Sequence, residues 1–206
     1  MSARPMLLVS SILAAVLFAI GYLVGAILPG GGEVEEADFT DFYEVDESFT
    51  TAFLLVFAMV AGSWALVWFF SELRARLADR ILSRTAFGAA LIGAASLAIG
   101  AVIAFAPAAV QMNSDAGFVG VPVAHAFAQA GLGLMVVVGM YSLALAVALF
   151  SLGLRQAGVI PGWLSIVGLV IAVLLLGSYI WLPGFLLSIW IVLVGVVGRE
   201  QGATVR

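Results

Sequence analysis

From residue 122 to residue 154 the chain reads PVAHAFAQAGLGLMVVVGMYSLALAVALFSLGL, without one acid or arginine. A bilayer's hydrocarbon core is about 30 Å thick, and roughly 20 apolar residues in a helix cross it. A run this long points to a lipid-embedded fold. Comparable tracts cover residues 5–28, 49–70, 86–106, 163–181 and 185–198. The chain is 64% hydrophobic and 10% charged, whereas soluble domains are about a quarter charged. The expectation is an all-α polytopic membrane protein: one domain over residues 1–206 with six transmembrane helices.

Charge sets the orientation. All eight basic residues are arginines, and Arg4, Arg74, Arg76, Arg80, Arg84, Arg155, Arg199 and Arg206 fall at tract ends belonging to one side. Short loops rich in arginine stay cytoplasmic, which predicts both termini inside and a multi-pass protein of the cell (cytoplasmic) membrane. A cleaved signal peptide is the rival reading of the first tract. That tract is too long for the apolar region of such a peptide, and GAILPG is a poor cleavage site.

Eight carboxylates crowd between Glu33 and Glu47. They place residues 29–48 outside, away from the anionic inner leaflet. Within this acidic external loop Phe39, Phe42, Phe49 and Phe53 recur at near-helical spacing, with Tyr43 beside them. A short interfacial helix would gather these rings on one face and the acids on the other; an aromatic belt at the start of the second span is the alternative. Asp38, Asp41, Glu44, Asp46 and Glu47 could ligate calcium. The spacing lacks the glycine of a calcium-binding loop, so a solvated acidic surface is the favoured reading.

The stretch LALAVALFSLGLRQAGVIPGWLSIVGLVIAVLLL, residues 143–176, resembles the end of a bacterial family of six-span integral membrane proteins of unknown function. The matching positions are Arg155, Gly158, Ile160, Pro161, Leu164 and Gly168. The resemblance implies a six-span bundle and carries no activity.

Candidate chemistry is sparse. The chain has no cysteine, which removes thiolate metal sites and iron–sulfur clusters, and no lysine, which removes Schiff-base chemistry. The net charge of −4 argues against nucleic acid. His125 could serve as an axial ligand or proton carrier. Counted back from Arg155 it lies about 45 Å along the helix, at the outer interface, and an ordinary interfacial histidine is the simpler reading. The intramembrane polar groups weighed are Gln129, Ser63, Ser96, Tyr141, Ser142, Ser178 and Tyr179, which more often bond between helices than bind substrate. No catalytic residue, metal ligand or cofactor is assigned.

Small residues carry the interaction signal. Gly21 and Gly25 form a GxxxG pair, and Ala89, Gly93, Ser96 and Gly100 line one side of the third span, for internal packing or for a membrane-protein partner. Two further expectations concern shape. The 33-residue tract should depart from a straight helix near Gly131 and Gly133, since glycine is a weak helix former. The short last span should leave an outward-facing depression above Pro183 and Gly184. Phe39, Phe42 and Tyr43 would roof it, Tyr179 and Trp181 would line it, and His125 or Gln129 would sit at its rim. The expected function is a non-enzymatic accessory or structural subunit of a membrane assembly; the alternative is a binder or carrier of a lipophilic small molecule in that pocket.

Overall fold

The computed structural model describes residues 4–25, 46–77, 81–113, 120–177 and 182–201, and no strand occurs among them. The elements are α1 (Arg4–Gly25), α2 (Asp46–Arg74), α3 (Ile81–Asn113), α4 (Val121–Gly133), a π-helical segment (Leu134–Met140), α5 (Tyr141–Gln156), α6 (Gly162–Leu176) and α7 (Leu182–Gln201). Three stretches, Val56–Arg74, Ile81–Val110 and Pro122–Gln156, are long and apolar enough to cross a membrane. Met6–Gly21, Gly162–Leu176 and Gly184–Gly198 are apolar helices of shorter length.

Neighbours in sequence are neighbours in space. α1 packs on α2, α2 on α3, α3 along the whole α4–π–α5 run, α5 on α6 and α6 on α7; α7 returns to α1 and closes the ring. Aromatic side chains fill the middle. Phe70 stacks on Phe150 with ring centroids 5.3 Å apart, and Phe69 meets Trp190 edge-on at 6.3 Å. All four are buried with Leu66, Leu73, Leu143 and Val147. Such pairs add about 0.5–1.5 kcal/mol each beyond the area they bury.

Several boundaries differ from the sequence expectation. The third tract, expected to close at residue 106 because Pro107 follows, continues as α3 through the buried Pro107 to Asn113. Proline removes one backbone donor, and a membrane helix can tolerate that where neighbouring groups re-satisfy the freed carbonyl. α3 also starts earlier than expected, at Ile81, so Arg84 belongs to its first turn. Pro183 and Gly184, which precede the last tract expected over residues 185–198, lie inside the first turn of α7, a helix of 20 residues. Proline is favoured there because the first turn's donors have no intrahelical partner.

The α5–α6 turn follows from its sequence. Gly158 has φ of +68°, a conformation glycine adopts without steric cost. Gly158 N–H donates to Arg155 O at 3.0 Å and Val159 N–H to Leu154 O at 2.9 Å, the paired bonds of a Schellman helix end. Pro161 then sits extended before α6. Arg155, Gly158 and Pro161 are therefore what this tight reversal requires.

The long tract passes from α4 through the π segment into α5 with helical backbone angles at both junctions. The change of helix type begins directly after Gly133. α3 supplies its cause. Gly93 lies against Gly139, and Gly100 against Gly131. The contacts are seven residues apart on α3 and eight apart on its antiparallel partner. At about 100° per residue, seven α-helical residues return to the same face, while eight overshoot by about 80°. A π segment takes up one extra residue, so Gly131 and Gly139 both meet α3. The small-residue stripe of α3 faces this seam: Ala89, Gly93, Ser96 and Gly100 are all buried. In the same way Gly21 and Gly62 seat α2 against α1, where a β-carbon on Gly62 would lie 3.0 Å from the Phe18 backbone nitrogen. Gly25 is the last residue of α1.

Candidate functional site

The residues expected to form the outward pocket are only partly within view. Phe39, Phe42, Tyr43, Tyr179 and Trp181 lie outside the described residues, as do Asp38, Asp41, Glu44 and Ser178. His125 is half-buried and Gln129 exposed, one turn apart on α4. α4 packs on α3, and among its residues of described burial Ala124 and Gly131 alone are buried. Among the described residues no group of three or more His, Cys, Asp or Glu side chains could hold a metal ion.

Among the described residues eight serines are buried, and four of them are satisfied within their own helix. Ser10 and Ser11 donate to Leu7 O and Leu8 O at 3.0 and 2.8 Å, and Ser63 to Met59 O at 2.7 Å. Ser188 reaches Gly184 O at 3.4 Å. Back-bonding of this kind hides a hydroxyl inside its own helix. Ser63, which the sequence nominated for a bond between helices, thus bonds within α2. Tyr141 is exposed on the outer surface.

One cluster behaves differently. Ser165 of α6 crosses to α5 and donates to Ser151 O at 2.9 Å. The Ser151 hydroxyl and the Trp190 Nε1–H are fully enclosed and make no hydrogen bond. Both border one point, the position that a β-carbon on Gly168 would fill; Trp190 Nε1 lies 2.6 Å from it, and Ser151 Oγ is its other close neighbour. Three helices therefore bring two polar atoms to the single residue without a side chain. An enclosed polar group without a partner costs about 1–3 kcal/mol, so this is the least satisfied place in the described interior.

Sequence reasoning passed over Ser151, Ser165 and Trp190. A signal existed for Ser151. It interrupts the buried row Leu143, Val147, Phe150, Leu154 at the spacing of a helix face, so it had to point inward. Trp190 sits likewise between Leu187, Ile191 and Val194.

The outer surface holds a second feature. On α2, Phe53, Phe57 and Trp64 fall within about 40° of one another around the helix axis. They are exposed at 53%, 63% and 75%, Trp64 being the most exposed aromatic ring of the three. Phe53 also meets Phe105 of α3 edge-on at 6.4 Å.

The chain matches no family model, no curated protein and no solved structure.

Proposed function

We propose that this protein is a six-span protein of the cytoplasmic membrane, with both termini inside, acting as a non-enzymatic accessory or structural subunit of a larger membrane assembly. The ring of helices with an aromatic-filled centre supports a scaffold over a conduit. Arg74, Arg76, Arg84 and Arg155, at helix ends and turns, support the orientation.

The single observation that carries the subunit reading is Trp64. It lies ten residues before Arg74, about 15 Å along α2, near the middle of a core about 30 Å thick. Tryptophan belongs at membrane interfaces, where its N–H meets water or headgroups. Lipid tails offer no acceptor, and an unsatisfied donor there is costly. A neighbouring transmembrane helix with an acceptor opposite Trp64 removes that cost. A photo-crosslinking residue at Trp64 should give a protein adduct of defined mass in native membranes, while the same residue at Val173, exposed at 68% on α6, gives lipid adducts. Lipid adducts alone at both positions would refute the subunit reading.

The second reading, a binder of a lipophilic small molecule, is favoured by the one-sided packing of α4, which leaves Val123 and Phe127 exposed beside His125. Mass spectrometry of the purified protein separates the two, because a carrier retains a stoichiometric lipophilic compound through detergent extraction.

A further inference from the structure

Ser151 stands apart from the serines around it. Ser63 and Ser71 both donate to the carbonyl four residues back, at 2.7 Å. The corresponding acceptor for Ser151 is the carbonyl of Val147, and its hydroxyl does not take it. The hydroxyl instead borders Gly168 beside the indole N–H of Trp190. Both residues are 0% exposed, and Leu154, Leu164, Leu187 and Ile191, within a turn of Ser151, Gly168 or Trp190 on the same three helices, are buried apolar side chains.

One oxygen that accepts from both groups would satisfy them together. An indole nitrogen can only donate, while a serine hydroxyl donates or accepts. We propose that Ser151 and Trp190 hold a single water molecule inside the bundle. It accepts from Trp190 Nε1–H and Ser151 Oγ–H. Gly168 is the enabling residue, because any side chain there would separate the two donors. Buried waters in proteins typically make about three hydrogen bonds to groups that otherwise lack partners. A bridging water is nearly as favourable in enthalpy as a direct bond. The site lies one helical turn from Arg155, which is exposed, so the path to bulk water is short. The water ties α5 to α7 at the level where Ser165 already ties α6 to α5.

The test is nuclear magnetic resonance of the full chain in lipid nanodiscs with 15N-labelled tryptophan. The chain has five tryptophans, and replacing Trp64, Trp68, Trp163 and Trp181 by phenylalanine one at a time assigns the Trp190 indole by elimination without disturbing it. The expected result is an indole proton in the hydrogen-bonded range with a through-space cross-peak to a slowly exchanging water, lost in Ser151→Ala while the other four signals stay. A hydrogen-bonded indole without the water cross-peak would mean that Trp190 donates directly to Ser151, and would overturn the proposal. An indole proton in the free range, or a water cross-peak that Ser151→Ala leaves unchanged, would overturn it as well. The wild-type spectrum alone decides the matter if Ser151→Ala does not fold.

Discussion

Gly100 and Gly131 each place their carbonyl oxygen where the other's β-carbon would be. A β-carbon on Gly100 would lie 2.6 Å from Gly131 O, and one on Gly131 would meet Gly100 O and come within 2.7 Å of Ala104 N. Backbone faces backbone, which permits Cα–H···O contacts along the α3–α4 seam. Neither obstacle is a flexible side chain, so any added carbon must part the two helices.

This separates two glycines that are equivalent in the sequence. Gly131→Val should destabilise the protein by about 1–3 kcal/mol through overpacking. Gly133→Ala should be neutral or stabilising by about 0.4–1 kcal/mol, because a β-carbon there meets nothing within 4 Å. Unfolding titrations with sodium dodecyl sulfate in mixed micelles measure both. Equal losses for the two variants would contradict the seam.

The π segment is tested by removing its extra residue. Deleting Val137, exposed at 49%, brings Gly131 and Gly139 to seven residues apart, which a plain α-helix holds on one face. The shortened chain should fold with a continuous helix, its midpoint of thermal unfolding within a few degrees of wild type. Deleting Ala148 from α5 instead rotates buried Phe150, Ser151 and Leu154 by about 100° against their neighbours, and should abolish folding. If both deletions prove equally harmful, the π segment has another cause.

Much of the helical plan was legible because it depends on runs of residue type. Uncharged tracts mark helices, and Gly158 with Pro161 marks the α5–α6 reversal. What was hidden depends on pairing. The π segment answers glycine spacing on α3, and no property of residues 134–140 alone reveals it. Pro107 misled because its local effect is to stop helices in water, whereas α3 runs on through it. The polar cluster was half visible: Ser151 interrupts a periodic apolar row, yet only the three-helix junction shows that Gly168 leaves it facing Trp190. Of the aromatic stripe of the acidic loop, Phe39, Phe42 and Tyr43 lie outside the described residues, while Phe53 stands exposed on α2 against Phe105.

The α5–α6 junction separates two energies. Ser165→Ala removes one interhelical hydrogen bond, the 2.9 Å contact to Ser151 O, and should cost about 0.6 kcal/mol, a typical value inside membranes. Gly168→Ala inserts a methyl group against Ser151 and Trp190 and should cost about 1–3 kcal/mol by displacing packed atoms. The same unfolding titration ranks them. A larger loss from Ser165→Ala would mean that the polar contact, rather than close packing, holds the junction together.

The orientation can be checked without any partner. Eight carboxylates lie between Glu33 and Glu47, while the arginines gather at the opposite helix ends, and translocation leaves arginine-rich short loops inside. The chain has no cysteine, so a single Thr40→Cys substitution introduces the only reactive thiol. In intact cells a membrane-impermeant maleimide should label Thr40→Cys fully, and an Ala157→Cys variant, placed in the exposed α5–α6 turn, should label only after lysis. Ala157 sits two residues from Arg155, on the side assigned to the cytoplasm. The reverse pattern would invert the topology and move Trp64 no nearer to either interface, so the partner argument would survive. Labelling of both sites in intact cells would break the six-span count, because residues 40 and 157 are separated by three crossings in that scheme and must face opposite sides.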